Sequence, residues 1–520
     1  MSGSPDIIIG IDAGTSVMKA VAFELNGTQV ATSSIKNNYI VTADGAATQQ
    51  MGRTWEDCSK AISQLSEKVQ HLPERTAAIA ATGQGDGTWL IDKSGQPFTD
   101  AWLWLDARAA QTVETLSKGS QERARFEATG TGLNTCQQGS QLAHMEQFFP
   151  ELIDQAAHSF HCKDWLYFCL TGVIATDPSE ASFTFGDFRT REYNDHVLSA
   201  LGLAGRRYLL PDILDGTKVS HALTKTAADK CGLKEGTPVS LGYVDMIMTA
   251  LGAGIYTGQA SVGCSTIGTT GVHMKAVRPE EVVLGNDHTG YVLCLPCEDI
   301  VGQTQTNMAA TLNLDWILDV GADLVGQFDS KPTHTDMLAR LSGWLEDADP
   351  HSLLYHPYIS EAGERGPFIN PDARASFNGL SANTNYPTLV RAVVEGLAMA
   401  ARDCYEAMGE LPKEVRISGG AARSDELRRI FSASLNAPIR ISSRDEAGAA
   451  GAAMMAAVAV GAFDNMASCI DQWVSPLLGS AEPVDEDMMA KYNQLYTAYK
   501  ECRLGMKNTW SAISNVKSLG

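Results

Sequence analysis

Apolar and polar residues follow one another along this chain in two rhythms. Ile7 to Ile11 form an unbroken apolar run, as expected of a strand covered on both faces. Gly14 breaks that run, Val17 to Phe23 resume it, and Asn26-Gly27 supplies a hairpin turn. The opening stretch therefore predicts strand, tight turn, strand, turn, strand. TAAIAATGQ and WLID predict two further strands. Helical patterning predicts helices near Ala109–Leu116, Gln138–Phe148 and Lys163–Leu170, with Gly172 suited to cap the last. Later, a helix is predicted over Tyr386 to Met408, then the strand EVRIS, then Gly419-Gly420 and a helix beginning near Ser424. Strands alternating with helices predict an α/β protein.

The strand–glycine turn–strand unit returns in ASVGCSTIGTTGVHMKAV. Its Gly268 lies 254 positions beyond Gly14 (268 minus 14). Two halves opening alike suggest an internal duplication of architecture. Glycines cluster in GAGIYTG, from Gly252 to Gly258, which places the domain junction there. The expected domains are 1–255 and 256–520.

A chain of 520 residues accommodates two or more domains. The formal net charge of -21 argues against nucleic acid and against anionic lipid as partners. Eleven unpatterned cysteines suit a reducing compartment, so a cytoplasmic protein is expected. Cys294 and Cys297 form a lone CxxC, expected to be half-buried strand cysteines, since no second ligand pair accompanies them. The opening MSGSPDIIIG has no basic leader pattern. The longest apolar run, Ala447 to Phe463, is Ala- and Gly-rich and short for a membrane span, so a tightly packed internal helix is expected. A homo-oligomer remains compatible with the sequence.

Asp12, Gly14, Thr15, Ser16 and Lys19 are the first candidates for chemistry. A glycine turn brings backbone N–H groups close to a phosphate, and the hydroxyls of Thr15 and Ser16 add donors. Asp12, at the strand end, suits a Mg²⁺-bound water. A plain hairpin with an Asx-turn accounts for the same letters. The second turn, Gly268-Thr269-Thr270, strengthens the phosphate reading, since two such turns across a cleft would clamp a polyphosphate. SGGAARSDELRRIF, from Ser418, adds glycines that let backbone approach a flat ligand such as adenine.

These elements together resemble the FGGY family of carbohydrate kinases, within the actin/hexokinase/Hsp70 superfamily. IGIDAGTSVMKAVAF and GTTG resemble its two phosphate loops, although G-T-S is commoner in the second. WLWLDARA places Trp104, Asp106 and Arg108 on its W-x-D-x-R element. GYVDMIMTALGAG places Asp245 on its catalytic aspartate. HPYISEAGERGPF resembles its Y-x-x-G-E-R-x-P stretch through Tyr358, Gly363, Glu364, Arg365 and Pro367. SFNGLSANTNYPTLVRAVVEG resembles its C-terminal signature, with Thr388 where a larger polar residue is usual. ISGGAARS and AGAAGAA resemble its adenosine region.

The resemblance implies an α/β, ribonuclease H-like, two-domain fold with an interdomain cleft, and ATP-dependent phosphorylation with Mg²⁺. It implies that Asp245 is the general base, that Asp12 orients the metal, and that Gly14, Thr15, Ser16, Gly268 and Thr269 meet phosphates. Gly419, Gly420 and Ser424 would line the adenosine site. Positioning, charge neutralisation and a base are what phosphoryl transfer requires.

Acceptor clues lie in the first half. In TGQGDGTWLID, Gln84, Gly85 and Asp86 stand where xylulose kinases resemble G-Q-M-H-G and glycerol kinases N-Q-R-E-T. An ionised Asp86 accepts from hydroxyls and would oppose a carbonyl. Gln137, with Cys136 and Gln138, stands where glycerol kinases present a pocket tyrosine. Trp104, Asp106 and Arg108 complete the expected acceptor site. This combination resembles the members that act on erythritol, with a pentulose such as xylulose or ribulose as the alternative acceptor. An actin- or Hsp70-like ATPase would share the phosphate loops, but would not need Asp245, Asp86 and W-x-D-x-R together.

Overall fold

The structure, a computed structural model, describes residues 5–419 and 424–517. The first apolar run forms strand β1 (Ile7–Ala13), with every residue buried except the half-buried Asp12. It pairs antiparallel with β2 (Val17–Glu24), which pairs with β3 (Gln29–Lys36). On its other edge β1 pairs parallel with β4 (Thr76–Gly83). The short β5 (Ser220–Ala222) and β6 (Pro238–Leu241) complete a six-stranded sheet in the order β5-β6-β4-β1-β2-β3.

The second half repeats this plan. Strands β7 (Val262–Ile267), β8 (Gly271–Val277), β9 (Tyr291–Cys294), β10 (Val301–Asn307), β11 (Glu414–Ser418) and β12 (Ile439–Arg440) lie in the order β9-β10-β8-β7-β11-β12. In each half a three-strand antiparallel meander (β1-β2-β3 or β7-β8-β10) continues through two parallel strands (β4 and β6, or β11 and β12). This is the duplication expected from the two glycine turns, in the ribonuclease H-like architecture that the family resemblance implies.

Helices cover the sheets: α1 (Met51–Leu65), α2 (Cys162–Thr171), α3 (Pro178–Phe185), α4 (Asp245–Gly252), α5 (Tyr386–Ala407), α6 (Asp425–Leu435) and α7 (Ala447–Ala459). The helix expected over Gln138–Phe148 is found with those bounds. Gly172 caps α2 with φ of 74°, a backbone that glycine adopts without strain. The apolar run from Ala447 contains α7, an internal helix as expected. It crosses from the second half to lie against β1 and α4 of the first. A methyl on Gly10 would stand 2.1 Å from the Ala449 carbonyl oxygen, and one on Gly451 2.3 Å from that of Met248. Small residues on both faces are what allow such backbone-to-backbone packing. One apolar core therefore joins the halves, with Ile8 and Val21 packed in the same cluster as Met248, Val292 and Ala453.

Cys294 and Cys297 are both fully buried rather than half-buried, and Cys297 lies beyond the end of β9. All eleven cysteines are free. Among the described residues no helix is long and apolar enough to cross a membrane.

Candidate active site

The hairpins β1–β2 and β7–β8 each turn through three residues, Gly14-Thr15-Ser16 and Gly268-Thr269-Thr270. A cavity of about 350 Å³ reaches both, lined by Thr15 from one turn and Thr270 from the other. The first turn is held from several sides. The Thr15 hydroxyl donates to Gln84 Oε1 at 3.0 Å and accepts from Trp104 Nε1 at 2.7 Å. Gln84 in turn donates to Gln49 at 3.1 Å, and Asn37 donates to the Gly14 carbonyl at 3.1 Å. Ser16 is exposed. In the second turn, the Gly268 and Thr269 carbonyls accept from Thr311 N at 2.9 Å and Ala310 N at 2.7 Å. The Thr269 side chain is exposed, and Thr270 rather than Thr269 lines the cavity.

Four carboxylates gather around this space. Asp245 is the first residue of α4 and lines the cavity, so its helix-terminal position and a functional one coincide. Burial, then repulsion from Asp12 and Glu180, holds its carboxyl well above the usual range. Asp12 pairs in register with Lys19 across β1–β2, and Lys19 bridges to Glu446 at 2.7 Å. Burial pushes Asp12 up to about 6, against the pull of Lys19. Asp86 lines the cavity in left-handed backbone, φ 57°. Its Oδ1 has no hydrogen-bond partner among the described residues. Burial raises its carboxyl, opposed by Cys136, His161 and Arg365. Glu180, on α3, is the fourth, and it lines the same cavity.

The set around Asp12 fits a hard divalent cation, which takes carboxylate, phosphate and water oxygens. The Asp12 charge raises the proton affinity of Asp245, and that nearness of two carboxylates is the ground for the fit; among the described residues no group of three or more His, Cys, Asp or Glu forms a complete protein ligand set.

Three of the expected acceptor residues stand behind the wall rather than in it. Asp106 is 1% exposed and accepts from the Ala47 N–H at 2.9 Å. Arg108 closes a 2.6 Å pair with Asp106 and stacks on the Trp102 ring. Gln137 donates to the Gly132 carbonyl at 2.9 Å and accepts from Asn134 N at 3.1 Å, which uses its amide on its own loop. Gln138 likewise donates to the Phe160 carbonyl at 2.7 Å. Gln84, Gly85, Asp86 and Trp104 do line the cavity.

In the second half, Gly419 has φ of 94°, and a methyl there would stand 2.4 Å from the Ile267 carbonyl oxygen. Gly419 thus lies against the strand that leads into the second turn. Ser424 caps α6, accepting from Leu427 N. Gly420 lies outside the described residues.

Arg365 and Glu180 belong to the site without having been selected from the sequence. Arg365 reaches the cavity from the second half and donates to Thr306 Oγ1 at 3.2 Å. The G-E-R run drew attention to the loop, but nothing local says which cavity its arginine enters. Tyr291 and Phe183, with ring centroids 5.7 Å apart, supply an apolar wall.

Residues 7–252 match the "FGGY family of carbohydrate kinases, N-terminal domain", and residues 263–460 match the corresponding C-terminal domain. The chain is 58% identical to a protein of Brucella abortus (strain 2308) named erythritol kinase, over 98% of each. It is 26% identical to a xylulose kinase of Bacillus subtilis (strain 168), over 98% of this chain and 99% of that one. A ligand-bound xylulose kinase structure from Lactobacillus acidophilus superposes with a TM-score of 0.87 at 21% identity, covering 98% of this chain and 99% of that one. At that identity the likeness speaks to fold.

Proposed function

The chain belongs to the FGGY family of carbohydrate kinases, and from that premise we propose that it transfers the terminal phosphate of ATP to a terminal hydroxyl of erythritol. One observation carries this reading: Asp245 and Asp86 share a single cavity with Thr15 and Thr270 of the two hairpin turns. A base, a polyol-compatible wall and two hydroxyl-bearing turns then meet in one place. The likeness to the Brucella protein supports erythritol within the class of small polyols.

Asp245 orients the attacking hydroxyl and takes its proton as the oxygen bonds to the terminal phosphorus. The bond from that phosphorus to the bridging oxygen breaks, and ADP leaves. A raised proton affinity suits Asp245 to this work. Thr15 and Ser16 hold the phosphates from one half, and Gly268 and Thr269 from the other. Gly419 and Ser424 line the adenosine site, the role that the resemblance also gives Gly420. Asp12 would hold Mg²⁺, which would supply neutralisation of phosphate charge. The division at 255/256 assigns acceptor binding to the first domain and nucleotide binding to the second. Eleven free cysteines support a cytoplasmic setting.

A coupled ADP-release assay over tetritols, pentitols, glycerol, D-xylulose and L-ribulose tests the reading. Erythritol is expected to give the highest kcat/KM. Preference for a pentulose would overturn the acceptor, and ADP release independent of any acceptor would overturn the transfer.

A further inference from the structure

Beneath Gly85 lies a cluster of charge that the phosphoryl-transfer scheme leaves unused. Lys163 is wholly buried and sits 2.6 Å from Asp164 and 2.5 Å from Asp177. His161 Nδ1 is 3.1 Å from Asp164. Asp164 is partnered by Lys163 and His161, whereas Asp177 Oδ2 and His161 Nε2 have no hydrogen-bond partner among the described residues, and none of these four residues lines the cavity. Glu180 differs in reaching it. It is 1% exposed, it lines the cavity, and among the described residues neither of its carboxyl oxygens has a hydrogen-bond partner. Its nearest cation, His161 Nε2, stands 3.4 Å away without hydrogen-bond geometry. Leaving buried polar atoms unsatisfied costs free energy, so a native protein keeps such atoms where something else satisfies them.

Gly85 is what uncovers this carboxylate. A methyl at position 85 would stand 3.1 Å from Glu180 Oε1 and 2.5 Å from the Val244 side chain. Any side chain there would fill the space between Glu180 and the cavity.

We propose that Glu180, uncovered by Gly85, is an acceptor-contacting residue that hydrogen-bonds a non-reacting hydroxyl of the polyol and sets the enzyme's preference for a four-carbon acceptor over glycerol. The inference rests on the polyol reading above. Two orphaned oxygens match hydroxyl donors, and the room left at position 85 matches an acceptor longer than glycerol. Burial pushes Glu180 up to about 7, against His161 and Lys163, so near neutrality it is divided between a form that accepts and one that also donates. A polyol hydroxyl donates to the ionised form in a charge-assisted hydrogen bond that an amide at this position does not reproduce.

The test compares wild type with Glu180→Gln and Gly85→Ala, using the acceptor that the wild type prefers in the panel. Steady-state KM is measured separately for acceptor and ATP, with thermal midpoints recorded. Glu180→Gln is expected to raise the acceptor KM about tenfold to a hundredfold, leave the ATP KM within about twofold, and shrink the tetritol-to-glycerol ratio of kcat/KM. Gly85→Ala leaves the carboxylate in place but covers it, and the same selective loss is expected. It also provides the readout if Glu180→Gln fails to fold. An unchanged acceptor KM in a folded Glu180→Gln protein overturns the proposal, as does an unchanged acceptor KM in Gly85→Ala. Equal losses for acceptor and ATP with a lowered midpoint also overturn it, since they mark a structural role. Wild-type inactivity on every polyol would instead overturn the parent reading, and the panel reveals that before any variant is made.

Discussion

Gly448 lies so close to Asp12 that a methyl on it would stand 2.5 Å from the Asp12 Oδ2 atom. The same methyl would be 3.1 Å from the Thr249 hydroxyl. Gly448 belongs to α7, which arises in the second half, while Asp12 is the penultimate residue of β1 in the first. The absence of one side chain thus lets the joining helix rest directly on the residue assigned to the metal.

This makes Gly448→Ala an unusual helix substitution. Glycine to alanine inside a helix ordinarily stabilises by about 1 kcal/mol. Here the added methyl must push against the side chains of Asp12 and Thr249, and overpacking costs about 1–3 kcal/mol. The thermal midpoint is expected to fall or stay level rather than rise. With Asp12 displaced, kcat should drop by tenfold or more. A more stable variant with normal kcat would remove the contact from consideration.

The raised carboxylates carry a pH dependence whose sign is opposite to the usual one. Asp12 titrates at about 6 in the folded chain, above its ordinary value. The folded state therefore binds more protons than the unfolded one between about pH 4 and pH 6, and this group's contribution falls as pH rises through that window. Replacing Asp12 with Asn removes the contribution. Relative to wild type, Asp12→Asn should gain stability between pH 4.5 and pH 7.5 in the absence of nucleotide. Thermal melts of both proteins at each pH check this, and a stability difference flat with pH would refute it. The companion kinetic experiment is Asp245→Asn, which keeps shape but removes the proton acceptor. Its kcat should fall by about 10²–10⁴, with the ATP KM little changed.

Acceptor selectivity turns on Asp86. Arg108 is committed to Asp106 at 2.6 Å, and among the described residues Asp86 Oδ1 has no hydrogen-bond partner at the cavity, where the Arg365 charge acts on it. A polyol offers a hydroxyl where a ketose offers only an acceptor. A carbonyl set against Asp86 would cost about 1–3 kcal/mol, or roughly tenfold to a hundredfold in kcat/KM. Wild type should favour erythritol over D-xylulose by that factor. Asp86→His should narrow the gap, because His can donate to a carbonyl and tolerates the left-handed backbone at this position better than most residues. Equal loss toward every acceptor would show that Asp86 does not read the difference.

The strand frame and both hairpin turns were legible because their signals are local. An apolar run broken by a glycine sets β1–β2, and the same three-residue break sets β7–β8. Gln84, Gly85 and Asp86 follow directly from the end of β4, so their place at the cavity was legible too. The wall was harder to read. Asp106 and Arg108 carry charges that suit a sugar, yet they lie two residues apart and satisfy each other. Gln137 has an amide equally able to serve a ligand or its own loop, and the loop claims it. Glu180 and Arg365 enter the same cavity from positions 185 residues apart (365 minus 180), and only the assembled sheets reveal that they meet.

That meeting yields the last prediction. Asp86, Glu180 and Asp245 bring negative charge to the cavity from the first half, and Arg365 brings positive charge from the second. Polyol hydroxyls placed between them can donate to the carboxylates and accept from the guanidinium. Arg365 is steadied by Thr306 at 3.2 Å, on a strand of the second sheet, so it moves as that half moves. An acceptor bound on the first half would thus draw Arg365 and its domain toward it, excluding water from the terminal phosphate. Arg365→Ala should raise the acceptor KM about tenfold to a hundredfold, since a hydrogen bond to a charged group contributes about 1.5–3 kcal/mol. It should also raise the ratio of ATP hydrolysis to acceptor phosphorylation, because closure would be less complete. Small-angle scattering on wild type with acceptor and a nonhydrolysable ATP analogue should show a smaller radius of gyration than the free protein, and Arg365→Ala should show less of that change. A variant that compacts fully and keeps its coupling would place Arg365 outside the closing mechanism.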